Sequence, residues 1–146
     1  MRNGIGRLLA CGWLWWLGVA LWAALLYYLS SRSALPSGPD FPMKDKVLHC
    51  VYFSGGAFCL VTGLLAGRAR MPALGYWLTA GVIFAALLGA LDEYHQSFTP
   101  GRMGNDVFDW LADVCGGLLG SSLAWGARRL CGSAEGEADG KVVAES

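Results

Sequence analysis

The run Leu8–Leu29, LLACGWLWWLGVALWAALLYYL, holds 22 residues without a single charge. As an α-helix it reaches roughly 33 Å at about 1.5 Å per residue, enough to cross a hydrocarbon core of about 30 Å. Arg2 and Arg7 precede it. Signal peptides also begin with a basic start and an apolar run. Their apolar regions, however, span only about 7–15 residues, and the cleavage site here is poor. The stretch is therefore read as a membrane span, and the rest of the chain is read in that light.

Three more blocks of similar length follow: Val47–Gly67, Ala73–Leu91 and Val107–Ala127. Only 15% of the residues are charged, against about 25% in soluble domains, and the apolar excess lies in these four blocks. Between the first two, Pro36, Pro39 and Pro42 punctuate an extended loop. Arg68, Arg70 and Pro72 mark a short basic turn, and Thr99-Pro100-Gly101 ends whatever helix continues past Leu91. Residues 132–146 are polar, acidic and without aromatics, which predicts a disordered tail after a membrane domain over residues 1–131. The five cysteines form no CxxC or Cys/His pattern and read as small packing residues. No nucleic-acid signature is present.

Charge sets the orientation. Arg2, Arg7, Arg68, Arg70, Arg128, Arg129 and Lys141 collect on one side, and Arg32, Lys44, Lys46 and Arg102 on the other. The positive-inside rule then places both termini in the cytoplasm. Trp13, Trp15 and Trp16 near one end of the first span and Tyr27 and Tyr28 at the other match interfacial belts.

Nearly every ionisable residue within or beside the later spans maps to the far side. These are Asp45, Lys46, His49, Asp92, Glu93, His95, Arg102, Asp106, Asp109 and Asp113. Helical spacing draws them together. Asp45, His49, Tyr52, Gly56, Cys59 and Gly63 form one stripe; Gly81, Ala85, Gly89 and Asp92 a second, extended by His95 and Gln96; Asp109, Asp113, Gly116 and Gly120 a third. Small residues let helices approach where lipid provides no hydrophobic drive. The second, third and fourth spans are therefore expected to pack along glycine faces. Trp110, Leu111, Val114 and Leu118 are expected to face lipid, and the first span to be peripheral. The expected fold is all-α, an integral membrane four-helix bundle with its polar cluster at the extracytoplasmic ends of spans two to four.

Carboxylates inside a span are costly and rarely occur without a partner or a role. Six acids here face two firm bases, Lys46 and Arg102, leaving a net charge of about −4 with neutral histidines. Three readings fit. In the first, Asp45, Lys46, Gln96 and Arg102 bind a ligand at the outer leaflet. In the second, His49, Asp92, His95, Asp109 and Asp113 supply ligands to a divalent metal, imidazole with carboxylate suiting zinc or manganese. Glu93 would then be general base and Arg102 would orient a phosphate or carboxylate on a lipid headgroup, in a metal-assisted hydrolase or transferase. In the third, pairs such as Asp45–Lys46, Glu93–Arg102 and His–Asp only lock helix ends.

The segments Asp45-Lys46-Val47-Leu48-His49, Asp92-Glu93-Tyr94-His95-Gln96 followed by Pro100-Gly101-Arg102, and Asp109-Trp110-Leu111-Ala112-Asp113 with Gly116 resemble the VanZ-like family of small bacterial membrane proteins. The resemblance covers roughly residues 20 to 125. It implies a multi-pass protein of the bacterial inner membrane, with the bilayer and a cell-envelope lipid or peptidoglycan-related ligand as partners. The family's namesake is associated with low-level teicoplanin resistance, so a role in glycopeptide susceptibility is a family association.

Overall fold

The computed structural model describes residues 4–33, 39–68 and 73–144, with side chains described as far as Cys131. Pro36, Arg70 and Pro72 lie outside these residues, as do the side chains of the tail read as disordered. Among the described residues five helices follow in order: α1 (Gly4–Ala10), α2 (Gly12–Ser30), α3 (Lys44–Leu65), α4 (Leu74–Gln96) and α5 (Val107–Ala144). Four segments of the described residues are long and apolar enough to cross a membrane: Gly12–Ser30, Lys44–Leu65, Leu74–Gln96 and Val107–Cys131.

Local chemistry sets the helix ends. The first apolar run breaks at Cys11, where the Trp15 indole donates to the Leu8 carbonyl at 3.0 Å. Gly12 lets this bend approach the end of α3 closely, since a Cβ there would lie 3.2 Å from Ala66 Cβ. α4 runs past Leu91 to Gln96, carrying the Asp-Glu-x-His-Gln segment into its last turns. Arg102 N–H donates to the Thr99 carbonyl at 3.1 Å, with Gly101 at φ +80°. With Pro100 before it, that is a type II turn. Asp106 then caps α5, its Oδ1 accepting from Phe108 N–H at 2.8 Å.

α5 is the central helix, packed on α3 along one side and on α4 along the other, while α3 and α4 touch each other far less. Two small faces make this possible. Gly116 and Gly120 lie on the α3 backbone: a Cβ at Gly116 would strike the Cys50 carbonyl, and one at Gly120 the Ser54 carbonyl. Gly117 faces α4, where a Cβ would lie 2.7 Å from both the Gly81 carbonyl and Ala85 Cβ. Close backbone approach replaces the hydrophobic drive that lipid cannot provide.

The expectation for α3 needs a correction. Its stripe of Gly56, Cys59 and Gly63 meets α2, not α4 or α5. A Cβ at Gly56 would fall 2.5–2.8 Å from three Trp22 ring atoms, a Cβ at Gly18 would lie 3.1 Å from Cys59 Sγ, and Gly63 faces Trp15 and Trp16. Trp22 and Tyr52 also bond reciprocally, each ring donor reaching the other's carbonyl at 2.9 and 2.8 Å. Helical spacing says which residues share a face, but not which neighbour covers it. Trp110 is a second correction: it is half-buried, and its indole donates to the Ala86 carbonyl at 2.9 Å. Leu111 and Leu118 are exposed as expected, whereas Val114 is only half-exposed.

Polarity is inverted relative to a water-soluble bundle. Asp92, Glu93, Gln96, Asp109, Asp113 and Ser121 are buried, while Leu21, Leu25, Ile83, Leu87, Leu91, Leu119 and Leu123 are exposed. Large apolar side chains turned outward along four span-length helices suit lipid as solvent. All five cysteines are free thiols.

Candidate functional site

The ends of α3, α4 and α5 that carry the Asp-Glu-x-His-Gln segment hold three linked groups of polar side chains. In the first, Lys46 gathers carboxylates. Its Nζ lies 2.7 Å from Asp109 Oδ1, 2.9 Å from Asp106 Oδ2 and 3.6 Å from Asp45 Oδ2. The Asp109 contact is close but off-angle, so that buried oxygen has no aligned hydrogen-bond donor. Lys46 and then the Phe108 amide hold the Asp106 carboxyl below its ordinary value.

His49 and Asp113 make the second group. His49 Nδ1 lies 2.9 Å from Asp113 Oδ1, and Asp113 is wholly buried. Asp113 packs on α4, where a Cβ at Gly89 would lie 2.6 Å from its Oδ2. An ionised carboxylate only accepts, so Nδ1 carries the proton opposite it, and Nε2 offers a lone pair when the ring is neutral.

The third group runs along the end of α4. Arg102 Nε and Nη2 both donate to Gln96 Oε1, at 3.1 and 2.7 Å. Gln96 Nε2 in turn donates to Asp92 Oδ2 at 2.7 Å, so one amide joins the cation to the buried anion. The type II turn brings Arg102 back over its own helix. Gly104 permits this, because a Cβ there would strike the Ser97 amide.

Glu93 and His95 stand apart from that chain. Glu93 Oε2 accepts from the Asp106 amide at 2.7 Å, so the expected Glu93–Arg102 pair is replaced by a bond to backbone. Its Oε1 is buried without a partner. His95 turns toward α2, its ring tilted against Tyr27 with ring centres 4.8 Å apart, and its Nε2 lies 3.0 Å from Ser31 Oγ. Neither tie is visible in the spacing of the sequence.

A cavity of about 170 Å³ opens among these groups. Asp45, His49, Asp92, Gln96 and Arg102 give it a polar side; Leu26, Leu29, Leu48, Tyr52 and Phe53 give it an apolar one. α2 contributes two of those leucines, a role that its lack of charge concealed. The Thr99 hydroxyl ties the loop to α2 by donating to the Ser30 carbonyl at 3.1 Å.

The set expected to hold a metal is divided. Among the described residues, Asp45, His49 and Asp109 can each offer a ligand atom within 4.8 Å of the others. His49 also pairs with Asp113, Asp92 bonds to Gln96, and His95 faces α2. The Lys46 ammonium already shares Asp45 and Asp109. A divalent ion would compete with it for those carboxylates, so the donor set fits an ammonium better than a metal.

Four span-length helices with an inward-facing nest of acids, imidazole and guanidinium define a multi-pass helical membrane protein. A family model described as VanZ/LLP1 matches residues 15–129, most of the chain. The chain belongs to the VanZ/LLP1 family. No curated protein and no solved structure matches it.

Proposed function

We propose that the chain is an inner-membrane protein with both termini cytoplasmic. Its cavity, at the extracytoplasmic ends of the spans, binds the head of a cell-envelope lipid or peptidoglycan-related amphiphile. The single observation that carries this reading is the two-sided cavity. Leu26, Leu29, Leu48 and Phe53 line the same space as Asp45, Asp92, Gln96 and Arg102. Pockets of this kind hold an apolar body and fix a polar end. The seven-to-four asymmetry of Lys and Arg supports the orientation. Modulation of glycopeptide susceptibility, the association of the family's namesake, would follow from sequestering or presenting such an amphiphile at the outer leaflet.

A hydrolytic reading has one specific observation in its favour, the His49–Asp113 pair. A buried carboxylate on Nδ1 orients an imidazole so that Nε2 can accept a proton. This makes His49 a better general-base candidate than Glu93, which does not line the cavity. The helix-fastening reading is supported by Lys46 and its three carboxylates, which join α3 to α5.

Retention of amphiphile separates these readings. Full-length protein is extracted in mild detergent, washed, and weighed by native mass spectrometry beside Leu48→Trp, which fills the cavity from its exposed edge. One amphiphile retained by the wild type and absent from an equally stable Leu48→Trp supports binding. A wild type that retains none, together with cavity substitutions that lower only protein abundance, leaves a helix-fastening network.

A further inference from the structure

We propose that the cavity selects an amphiphile whose head pairs a phosphate with a primary ammonium, the chemistry of an aminophospholipid. The inference rests on the binding reading above and concerns only the head.

Charge around the cavity is the starting point. The formally charged side chains that line it are Asp45, Asp92 and Arg102. Lys46 does not line it; its ammonium is turned to Asp106 and Asp109. His49 has its Nδ1 committed to Asp113 and is uncharged when Nε2 is bare. With His49 in that neutral form, the lining is net negative and carries one fixed cation, Arg102. A lone phosphate meets Arg102 and is opposed by two carboxylates. A simple alkylammonium meets the carboxylates and is opposed by Arg102. A head with both signs satisfies both.

The geometry assigns the partners. Arg102 spends Nε and Nη2 on Gln96 Oε1, which holds the guanidinium in place and leaves Nη1 for an anion. Asp45 is 59% exposed and only loosely joined to Lys46 at 3.6 Å, so it can accept from an ammonium that enters from the membrane face. Asp92 is 6% exposed, and its Oδ2 accepts from Gln96 Nε2, which leaves Oδ1 as the acceptor for a ligand. A primary ammonium brings three N–H donors to these acceptors, whereas a quaternary ammonium brings none. At about 170 Å³ the cavity is close to the ~150 Å³ that admits a benzene ring, so it takes a head and not whole acyl chains. The chains would lie along the exposed Leu25, Leu48 and Leu91.

The test compares dioleoyl phosphatidylethanolamine, phosphatidylglycerol and phosphatidylcholine, each titrated into the full-length protein in detergent and read by native mass spectrometry. Phosphatidylethanolamine is expected to bind at least about tenfold more tightly than phosphatidylglycerol, the scale of one charge-assisted hydrogen bond. Asp45→Asn, at an exposed position, is expected to abolish that preference without loss of folding. Arg102→Gln is expected to weaken ethanolamine and glycerol lipids alike, because both carry a phosphate. Equal or tighter binding of phosphatidylglycerol overturns the inference, as does an Asp45→Asn variant that keeps the preference. If all three lipids bind equally and Leu48→Trp blocks them, the head assignment fails while the binding reading stands. If Leu48→Trp changes nothing, both fail.

Discussion

Replacing Lys46 by methionine keeps the length and apolar stem of the side chain and removes its charge. Three carboxylates then lose their shared cation, at 2.7, 2.9 and 3.6 Å. Their shares differ. Asp45 is well exposed, and its contact belongs with surface pairs worth about 0–1 kcal/mol. Asp106 keeps the α5 amides as partners. Asp109 is 8% exposed and retains no aligned donor for Oδ1, so it carries most of the loss. Breaking a buried pair costs about 3–5 kcal/mol. Because Lys46 is itself a quarter exposed, the lower end applies, about 3 kcal/mol or roughly a hundredfold in the unfolding equilibrium. The assay is reversible unfolding in mixed micelles with increasing dodecyl sulfate, followed by tryptophan fluorescence. Lys46→Met/Asp109→Asn should recover more than half of the loss, because no uncompensated buried charge remains. A loss under about 1 kcal/mol would show that water or headgroups already screen the nest. Strict additivity of the two single substitutions would refute the pairing itself.

The fit of an ammonium in place of a metal predicts no stoichiometric divalent ion in wild-type protein by elemental analysis. Lys46→Met, which frees Asp45, Asp106 and Asp109 beside His49, should gain affinity for zinc or manganese; a stoichiometric metal in wild type that His49→Ala loses would restore the metal-centre reading. ¹⁵N spectra of His49 should show a protonated Nδ1 and a bare Nε2, and Asp113→Asn should disturb that tautomer; an unchanged spectrum would mean that the pair does not orient the ring. Gly120→Ala should destabilise the bundle by about 1–3 kcal/mol, since its Cβ meets the Ser54 carbonyl, whereas Gly55→Ala, with open space, should be neutral in the same micelle assay. Asp106 titrates below its ordinary 3.8, so its contribution is complete above about pH 4 and fades as pH falls through the lower folded value; Asp106→Asn should flatten that acid limb of the unfolding profile.

Much of the architecture was legible in the chain because bilayer thickness is a severe filter. Few sequences other than spans hold about twenty apolar residues in succession, and the run from Leu8 announces this directly. The α4 stripe of Gly81, Ala85, Gly89, Asp92 and Gln96 was also readable and is buried as spaced, but His95, read as part of it, is only half-buried and turns to α2. The α3 stripe was grouped correctly but assigned to the wrong neighbour, because Gly56 receives Trp22 from α2. The candidate site divides in the same way. Its residue types and shared end of the bundle were visible, and the family resemblance was carried by the same segments.

What the sequence determined by itself is the solvent, the number of spans, the clustering of charge at one end and membership of the VanZ/LLP1 family. Periodicity and hydropathy are local properties, and these features depend on nothing else. Only the tertiary structure decided the partners. α5 became the centre because it presents glycines on two adjacent faces, Gly116 and Gly120 to α3 and Gly117 to α4. Lys46 was drawn to Asp109, His49 to Asp113, Arg102 to Gln96, and His95 away to Ser31. A cluster of six acids and four cationic or imidazole groups allows many pairings, and sequence distance does not rank them. Close helix approach does, because it fixes which donor lies within about 3 Å of which acceptor.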